Sequence, residues 1–449
     1  MGNCPLGGCI TGLCAAPQAG TVHARVHMRP RQCLPPCGRD GTCRRTRRAM
    51  RNRGGKPVNE IEPDAETLRP DDDEFAITLG IEEEFFLVDP GTRNLLVDPD
   101  VAIFEASEKA SGAHKIVREF LRAQIESNTR VCHSVGVLRQ ALRETRGTII
   151  EAAERHGAAV LAVSTHPFAS HTDQMTTPKK RYENFASRFQ ENVRQFLIGG
   201  MHVHAGFGDE DSRIRVMTVL RNYLPLLHAL STSSPFSQGR LTGFKSWRLT
   251  LMGGLPRTGV PGPLHSWEEY DQLLAEYQRL KFIDDGSELW WDIRPSHAFP
   301  TIELRICDIC TRIEDAVCIA ALYACIIRML MRLDKEGRLP LEDHTEIIAE
   351  NRWVAQRYGV LANFGDSRRL SGRTDIEDMV TELLDDLVED AQALGCEVEI
   401  RRALDIIREG TSADRQVDLF RLRRVEGDSD AEALRKVVDQ GIADTREGI

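Results

Sequence analysis

No stretch of this 449-residue chain reaches the ~18 consecutive apolar residues of a membrane span; the best, 320–331, is interrupted by Arg328. Residues 1–57 lack the apolar stretch of about 7–15 residues that a secretory signal needs. Four chemistry-bearing motifs are missing as well. No Gly-x4-Gly-Lys-Ser/Thr loop occurs, which excludes a Walker-type nucleotide site. No Gly-x-Gly-x-x-Gly follows a strand to open a helix, as a dinucleotide fold requires, and neither His-Glu-x-x-His nor Gly-x-Ser-x-Gly is found. What is present excludes a mainly disordered chain: 41% of residues are hydrophobic, and much of the sequence has helical periodicity. The length suffices for one large core or two smaller ones.

Charge is unevenly shared. The whole chain carries −10, from 58 Lys and Arg against 68 Asp and Glu. Residues 1–57 hold eleven basic residues and one acidic residue, Asp40, so this head carries +10 and the remainder −20. Six of the twelve cysteines (Cys4, Cys9, Cys14, Cys33, Cys37 and Cys43) also lie there. Their intervals of 4, 4, 18, 3 and 5 intervening residues fit the paired Cys-x2–4-Cys units of structural zinc sites poorly. The head also lacks the aromatic or helical recognition element of a nucleic-acid arm. The expectation is a disordered head, with Met28 and Met50 as alternative starts, followed by an acidic linker to residue 74. A single domain is expected over 75–449, with no nucleic-acid or membrane partner.

Order begins at Phe75. Residues 75–88 alternate like a strand and stop at the turn signal Asp89-Pro90-Gly91. Ser134 can cap a helix that ends before Gly157. Further strands are predicted over 158–163, 200–207, 289–294 and 301–307, and further helices over 181–196, 213–230 and 267–280. From Ile313 the pattern is nearly all helical, at 313–335, 343–358, 374–395 and 397–409. Strands scattered among helices, with a helical C-terminal third, imply an α+β domain around one sheet. Cys132, Cys307, Cys310, Cys318, Cys325 and Cys396 lie mostly on apolar segments and read as buried thiols of a reducing cytoplasm.

Three of the strands break the hydrophobic rule in the same way. Residues i and i+2 share a strand face. That puts Glu82 with Glu84, His202 with His204, and Glu303 with Arg305, each pair opposite an apolar face. An amphipathic sheet with one wet face would suffice for any single pair. Three pairs made only of Glu, His and one Arg, however, resemble a single ligand set, because burying such charges is costly unless they are paired or bind a metal. Carboxylates with one imidazole suit Mg²⁺ or Mn²⁺. Glu126, in the mostly apolar stretch 121–132, is a fourth candidate, with a helix-surface carboxylate as the alternative. Physical reasoning alone stops at metal-dependent phosphoryl or acyl chemistry on an open sheet.

The motifs Gly80-Ile-Glu-Glu-Glu-Phe-Phe86, Gly199-Gly-Met-His-Val-His204 and Thr301-Ile-Glu-Leu-Arg305 resemble the signature strands of the glutamine synthetase and glutamate–cysteine ligase superfamily. The closer resemblance is to the glutamate–cysteine ligase type 2 family and its YbdK-type carboxylate–amine ligases. Thr165-His-Pro-Phe168, Ser233-Ser-Pro235, Thr242-Gly-Phe-Lys-Ser246, Trp291-Asp-Ile-Arg-Pro-Ser296, Arg357-Tyr-Gly359 and Gly410-Thr-Ser-Ala-Asp-Arg415 support it. These segments run from about residue 76 to about 440 in the family's order.

The resemblance implies a glutamine-synthetase-like catalytic sheet, mainly antiparallel and flanked by helices. It implies ATP as co-substrate, Mg²⁺ (or Mn²⁺), an acyl-phosphate intermediate, and glutamate or a related carboxylate joined to cysteine or another amine. By the same resemblance Glu82, Glu84, Glu126, His202 and Glu303 are metal ligands, and Arg305 steadies the transferring phosphate beside Glu303. His204, Arg248 and Arg294 contact ATP or substrate, Glu83 is structural, and a homo-oligomer is expected. Two other readings stay open: a nucleotide- or metal-binding regulator without turnover, and a metal-dependent hydrolase on the same cluster.

Overall fold

The computed structural model describes residues 74–449; the readings made for the basic head and for the linker before Glu74 lie outside them. Its centre is a seven-stranded antiparallel sheet. The strands are β1 (Thr78–Val88), β2 (Lys115–Arg118), β3 (Gln124–Asn128), β4 (Ala159–Leu161), β5 (Met201–Gly206), β6 (Ile293–Pro295) and β7 (Ile302–Leu304). Their order is β6-β7-β5-β1-β3-β2, and β4 pairs with the far end of β1. β1 is the axis because it is the longest strand, at 11 residues, and pairs with β5, β3 and β4.

Alternation along β1 sets the two faces. Ile77, Leu79, Ile81, Phe85 and Leu87 are buried on one side, while Glu82 and Glu84 stay partly exposed on the other. The buried side packs on the helix Val135–Arg155, whose Ser134 Oγ accepts from the Val137 amide as an N-cap. Beneath it runs Ile313–Lys335, in which every residue from 315 to 331 is buried. That helix is long and apolar enough to cross a membrane by length and composition. A helix that is hydrophobic all round is also what a large core requires. Here it is enclosed by the helices Val135–Arg155, Glu210–Leu220 and Glu397–Glu409, and Tyr323 donates to the Ile302 carbonyl of β7. The six cysteines among the described residues are all buried and free.

Several predicted elements are broken in the structure. The helix expected over 181–196 divides at Gln190, whose φ of +49° ends Lys180–Phe189 before Glu191–Arg194 begins. The one expected over 213–230 becomes Glu210–Leu220, a 3₁₀ turn at Arg221–Tyr223, and Leu224–Ser231. Pro225 causes this: without an amide hydrogen it fits only a first turn, so the helix restarts around it. The 374–395 helix splits at Leu387, and the strand over 289–294 becomes Trp290–Trp291 and β6. Periodicity missed the Asp100-capped helix Val101–Ala110, as well as β2 and β3. The last 38 residues form Ser412–Val425 and Asp430–Arg446, each opened by a capping box.

One buried side chain gives the fold a defined acid sensitivity. His166 is 1% exposed; its Nε2 lies 2.9 Å from the Arg93 carbonyl, and its Nδ1 accepts from the amides of Phe168 and Ala169. A proton on Nδ1 would face two N–H donors, and burial already holds the ring down at about 4. Because the ring is neutral when folded but titrates near ~6.5 when unfolded, its contribution is present above that pH. It is lost as pH falls towards 4 and is worth about 3 kcal/mol at most. Urea unfolding at pH 7 and pH 4.5 should therefore show a smaller acid loss in His166→Asn than in the parent chain.

Candidate active site

The wet face of the sheet gathers side chains from five adjacent strands. Antiparallel register sets Glu82 opposite His202, Glu303 opposite His204, Glu303 opposite Arg294, and Glu84 opposite Glu126. Ligand atoms of Glu82, His202 and Glu303 all lie within 4.8 Å of one another. His202 Nδ1 is 3.1 Å from Glu82 and 3.6 Å from Glu303, and His204 Nε2 is 3.4 Å from Glu82. The Arg305 guanidinium bonds Glu303 and approaches His202 Nδ1 at 3.5 Å.

Protonation states suit a divalent cation here. Burial pushes the Glu82 carboxyl up, but hydrogen bonds from His202 and His204 outweigh it and hold the group well below the usual range. Glu303 is likewise held low: burial opposes ionisation, and Arg305 and Arg294 prevail. Burial, assisted by the Arg305 charge, holds His202 down at about 4, so its ring is neutral. Two carboxylates and a neutral imidazole are a ligand set that fits Mg²⁺ or Mn²⁺.

Glu84 and Glu126 form a second cluster, and the structure adds a residue that sequence reasoning missed, Glu119. Burial first, and the Glu119 charge next, raise Glu84 to about 8 and push Glu126 well above the usual range. Tyr182 donates to Glu119 at 2.9 Å, and Asn128 donates to Glu126 at 2.8 Å. Carboxylates that repel one another in a partly buried site invite a cation between them. Glu119 lies just beyond the four residues of β2, on the face that pairs with Glu126. The signal that could have found it is the hairpin itself, since 117 pairs with 126 and 119 follows on the same face. Glu126 stands on a strand rather than a helix surface, the alternative considered for it.

Two predicted anion contacts have their donors engaged within the protein. Arg294 bonds Glu303 through Nε at 3.0 Å and the carbonyls of Ser287 and Leu289 through NH1, at 2.8 and 2.7 Å. Arg248 is 5% exposed and donates to the carbonyls of Arg305 and Ile306. His204 turns Nδ1 to the Thr301 hydroxyl at 3.0 Å. A surface depression of about 640 Å³ lined by Asp209, Asp211, Trp267 and Asp271 lies elsewhere and includes none of these side chains.

The glycine pair before β5 lets the chain press against β1. Gly200 N donates to the Glu84 carboxylate at 2.8 Å, and its carbonyl accepts from Glu84 N at 3.1 Å. A Cβ at Gly199 would stand 2.7 Å from the Glu84 carbonyl oxygen, which is backbone and cannot swing away. Gly199→Ala is therefore expected to cost about 1–3 kcal/mol of stability and displace Glu84, whereas Gly262→Ala, with nothing within 4 Å, should be neutral. Urea titration of both variants checks the contrast.

The sequence model described as glutamate-cysteine ligase family 2 matches residues 78–440. A Rhodospirillum rubrum protein called "Putative glutamate--cysteine ligase 2" is 43% identical over 83% of this chain and 96% of its own length. A protein of the same name from Jannaschia sp. (strain CCS1) is 43% identical over 82% of this chain and 96% of its own. Among solved structures, the glutamate–cysteine ligase of Francisella tularensis in complex with AMP superposes with a TM-score of 0.58 at 14% identity, covering 83% of this chain and 89% of that one. The bifunctional glutathione synthetase of Pasteurella multocida also gives 0.58, at 15% identity over 83% of this chain and 53% of that one. These two likenesses establish a shared fold.

Proposed function

This chain belongs to glutamate–cysteine ligase family 2, and from that premise we propose that it is an ATP-dependent carboxylate–amine ligase, with glutamate and cysteine as the reference pair. The observation that carries the reading is the convergence of Glu82, His202, Glu303 and Arg305 on one wet face. In the proposed reaction a substrate carboxylate attacks the γ-phosphorus of ATP, giving an acyl phosphate and ADP. The amine then attacks the acyl carbon; inorganic phosphate leaves, the nitrogen loses a proton, and an amide remains.

The side chains divide the work. Glu82, His202 and Glu303 would hold one cation, and Glu84, Glu119 and Glu126 a second. Mg²⁺ at these positions would offset phosphate charge. Arg305, permanently charged and turned across Glu303, faces the region where the transferring phosphoryl oxygens would sit. Arg294 neutralises the other side of Glu303 and holds its carboxylate in place. His204, on β5 between β1 and β7, stands beside Glu82 and meets the Thr301 hydroxyl, and a nucleotide phosphate or substrate contact is proposed there.

The test uses purified protein with ATP, Mg²⁺, glutamate and a panel of amines, following ADP and amide. Amine-dependent ADP release is the expected result. ATP binding without turnover on any amine would instead identify a regulator, and product formed without ATP a hydrolase.

A further inference from the structure

Arg305 is held by an irregularity in the sheet. β7 ends at Leu304, opposite Ile293. One step on, the Asp292 carbonyl accepts from two successive amides, Arg305 N at 2.8 Å and Ile306 N at 3.0 Å. Two residues opposite one is a β-bulge. The extra residue carries across to β5: Leu304 pairs with Val203, yet Gly200 bridges Asp308 rather than Cys307. The regular register expected over 301–307 therefore ends at Arg305, which still shares the face of Glu303.

Every main-chain polar group of the bulge is engaged. Its carbonyls accept from Arg248, Arg305 O at 3.1 Å and Ile306 O at 3.2 Å. Its amides rest on Asp292, and Asp292 is itself clamped. Arg352, from the helix Thr345–Tyr358, grips the Asp292 carboxylate with Nε at 2.6 Å and NH2 at 3.2 Å, and Asp292 is 4% exposed. A planar guanidinium bonding a buried carboxylate twice fixes orientation as well as distance. The pair is separated by 60 residues of sequence.

We propose that Arg352 and Asp292 are positioning residues for Arg305. Their ion pair pins the carbonyl about which the bulge turns, and so aims the Arg305 guanidinium at Glu303 and the transferring phosphate. The aim matters because a bulge can relax: a one-residue slip redirects a side chain across the sheet, and a displacement near 1 Å costs on the order of 10²-fold in rate. The proposal rests on the ligase reading for its kinetic consequence, but its structural consequence stands apart from it.

The experiment compares Arg352→Ala, Arg352→Lys, Arg305→Ala and Arg305→Ala/Arg352→Ala in the full chain. Arg352→Ala is expected to lower kcat by about 30-fold, with KM for ATP changed by less than ~3-fold, and Arg352→Lys to recover part of the loss. In the Arg305→Ala background the second substitution should cost less than ~2-fold, because its effect passes through a side chain already gone. An equal loss in both backgrounds overturns the proposal, since a merely structural tie would weaken each alike. Hydrogen exchange read by mass spectrometry needs no turnover. Peptides spanning residues 302–308 should lose protection in Arg352→Ala while those of β1 keep it, and unchanged protection at 302–308 also overturns the proposal. Absence of amine-dependent ADP release in the parent chain would instead remove the ligase reading, leaving the exchange result to decide the positioning role.

Discussion

Glu303→Gln is expected to abolish amine-dependent turnover, lowering kcat by at least about 10³-fold while the chain stays folded. Glutamine keeps the volume and still accepts from Arg294 Nε, which stands 3.0 Å from the carboxylate. It removes the one negative charge shared by His202, Arg294 and Arg305. Two consequences follow from that single change. The ligand set of Glu82, His202 and Glu303 loses one of its two anions. Arg305 also loses the partner that turns it across the face. With two arginines left under-compensated in a buried setting, stability should fall by about 3–5 kcal/mol. Turnover, circular dichroism and a Mg²⁺ titration of activity separate the two effects. Near-normal kcat in this variant would remove Glu303 from the ligand set.

The candidate site was legible where a period-2 pattern crosses a half-buried sheet. Glu82 and Glu84 stood out because five apolar neighbours alternate with them, and His202 and His204 stood out for the same reason. Alternation reports which face a residue occupies, but not which strand lies beside it. The pairing of Glu82 with His202, 120 residues away, is a product of chain topology. Glu119 escaped because it lies past a strand of four residues, too short to establish a period. Arg352 escaped because its partner Asp292 lies on another element, and nothing along its helix marks it. The bulge at Arg305 escaped because one carbonyl accepting two amides leaves no trace in residue types. Helix breaks were legible in principle at Pro225, where the missing amide is a local fact. They were not legible at Gln190, where an ordinary residue takes a positive φ that its type does not announce.

Arg146→Met is expected to destabilise the fold by about 3–5 kcal/mol, enough to remove much of the stability of an ordinary domain. Glu83, between the two candidate ligands of β1, points into the core and is 0% exposed, as is the Arg146 side chain. The guanidinium meets both carboxylate oxygens, at 3.0 and 2.5 Å, and also donates to the carbonyls of Thr311 and Cys310 at 2.7 and 2.8 Å. Methionine fills most of the space but leaves a buried carboxylate and two carbonyls without donors. Replacing both partners, as Glu83→Leu/Arg146→Met, removes the uncompensated charge, so the double variant should be more stable than Arg146→Met alone. It should still fall short of the parent chain, because the carbonyls at 310 and 311 remain unpaired. Urea unfolding of the three proteins tests that order. A loss below about 1 kcal/mol for Arg146→Met would mean that the pair does not hold β1. Activity should follow the same order, since Glu82 and Glu84 flank the anchored residue, and their carboxylates keep their places only while Glu83 keeps its own.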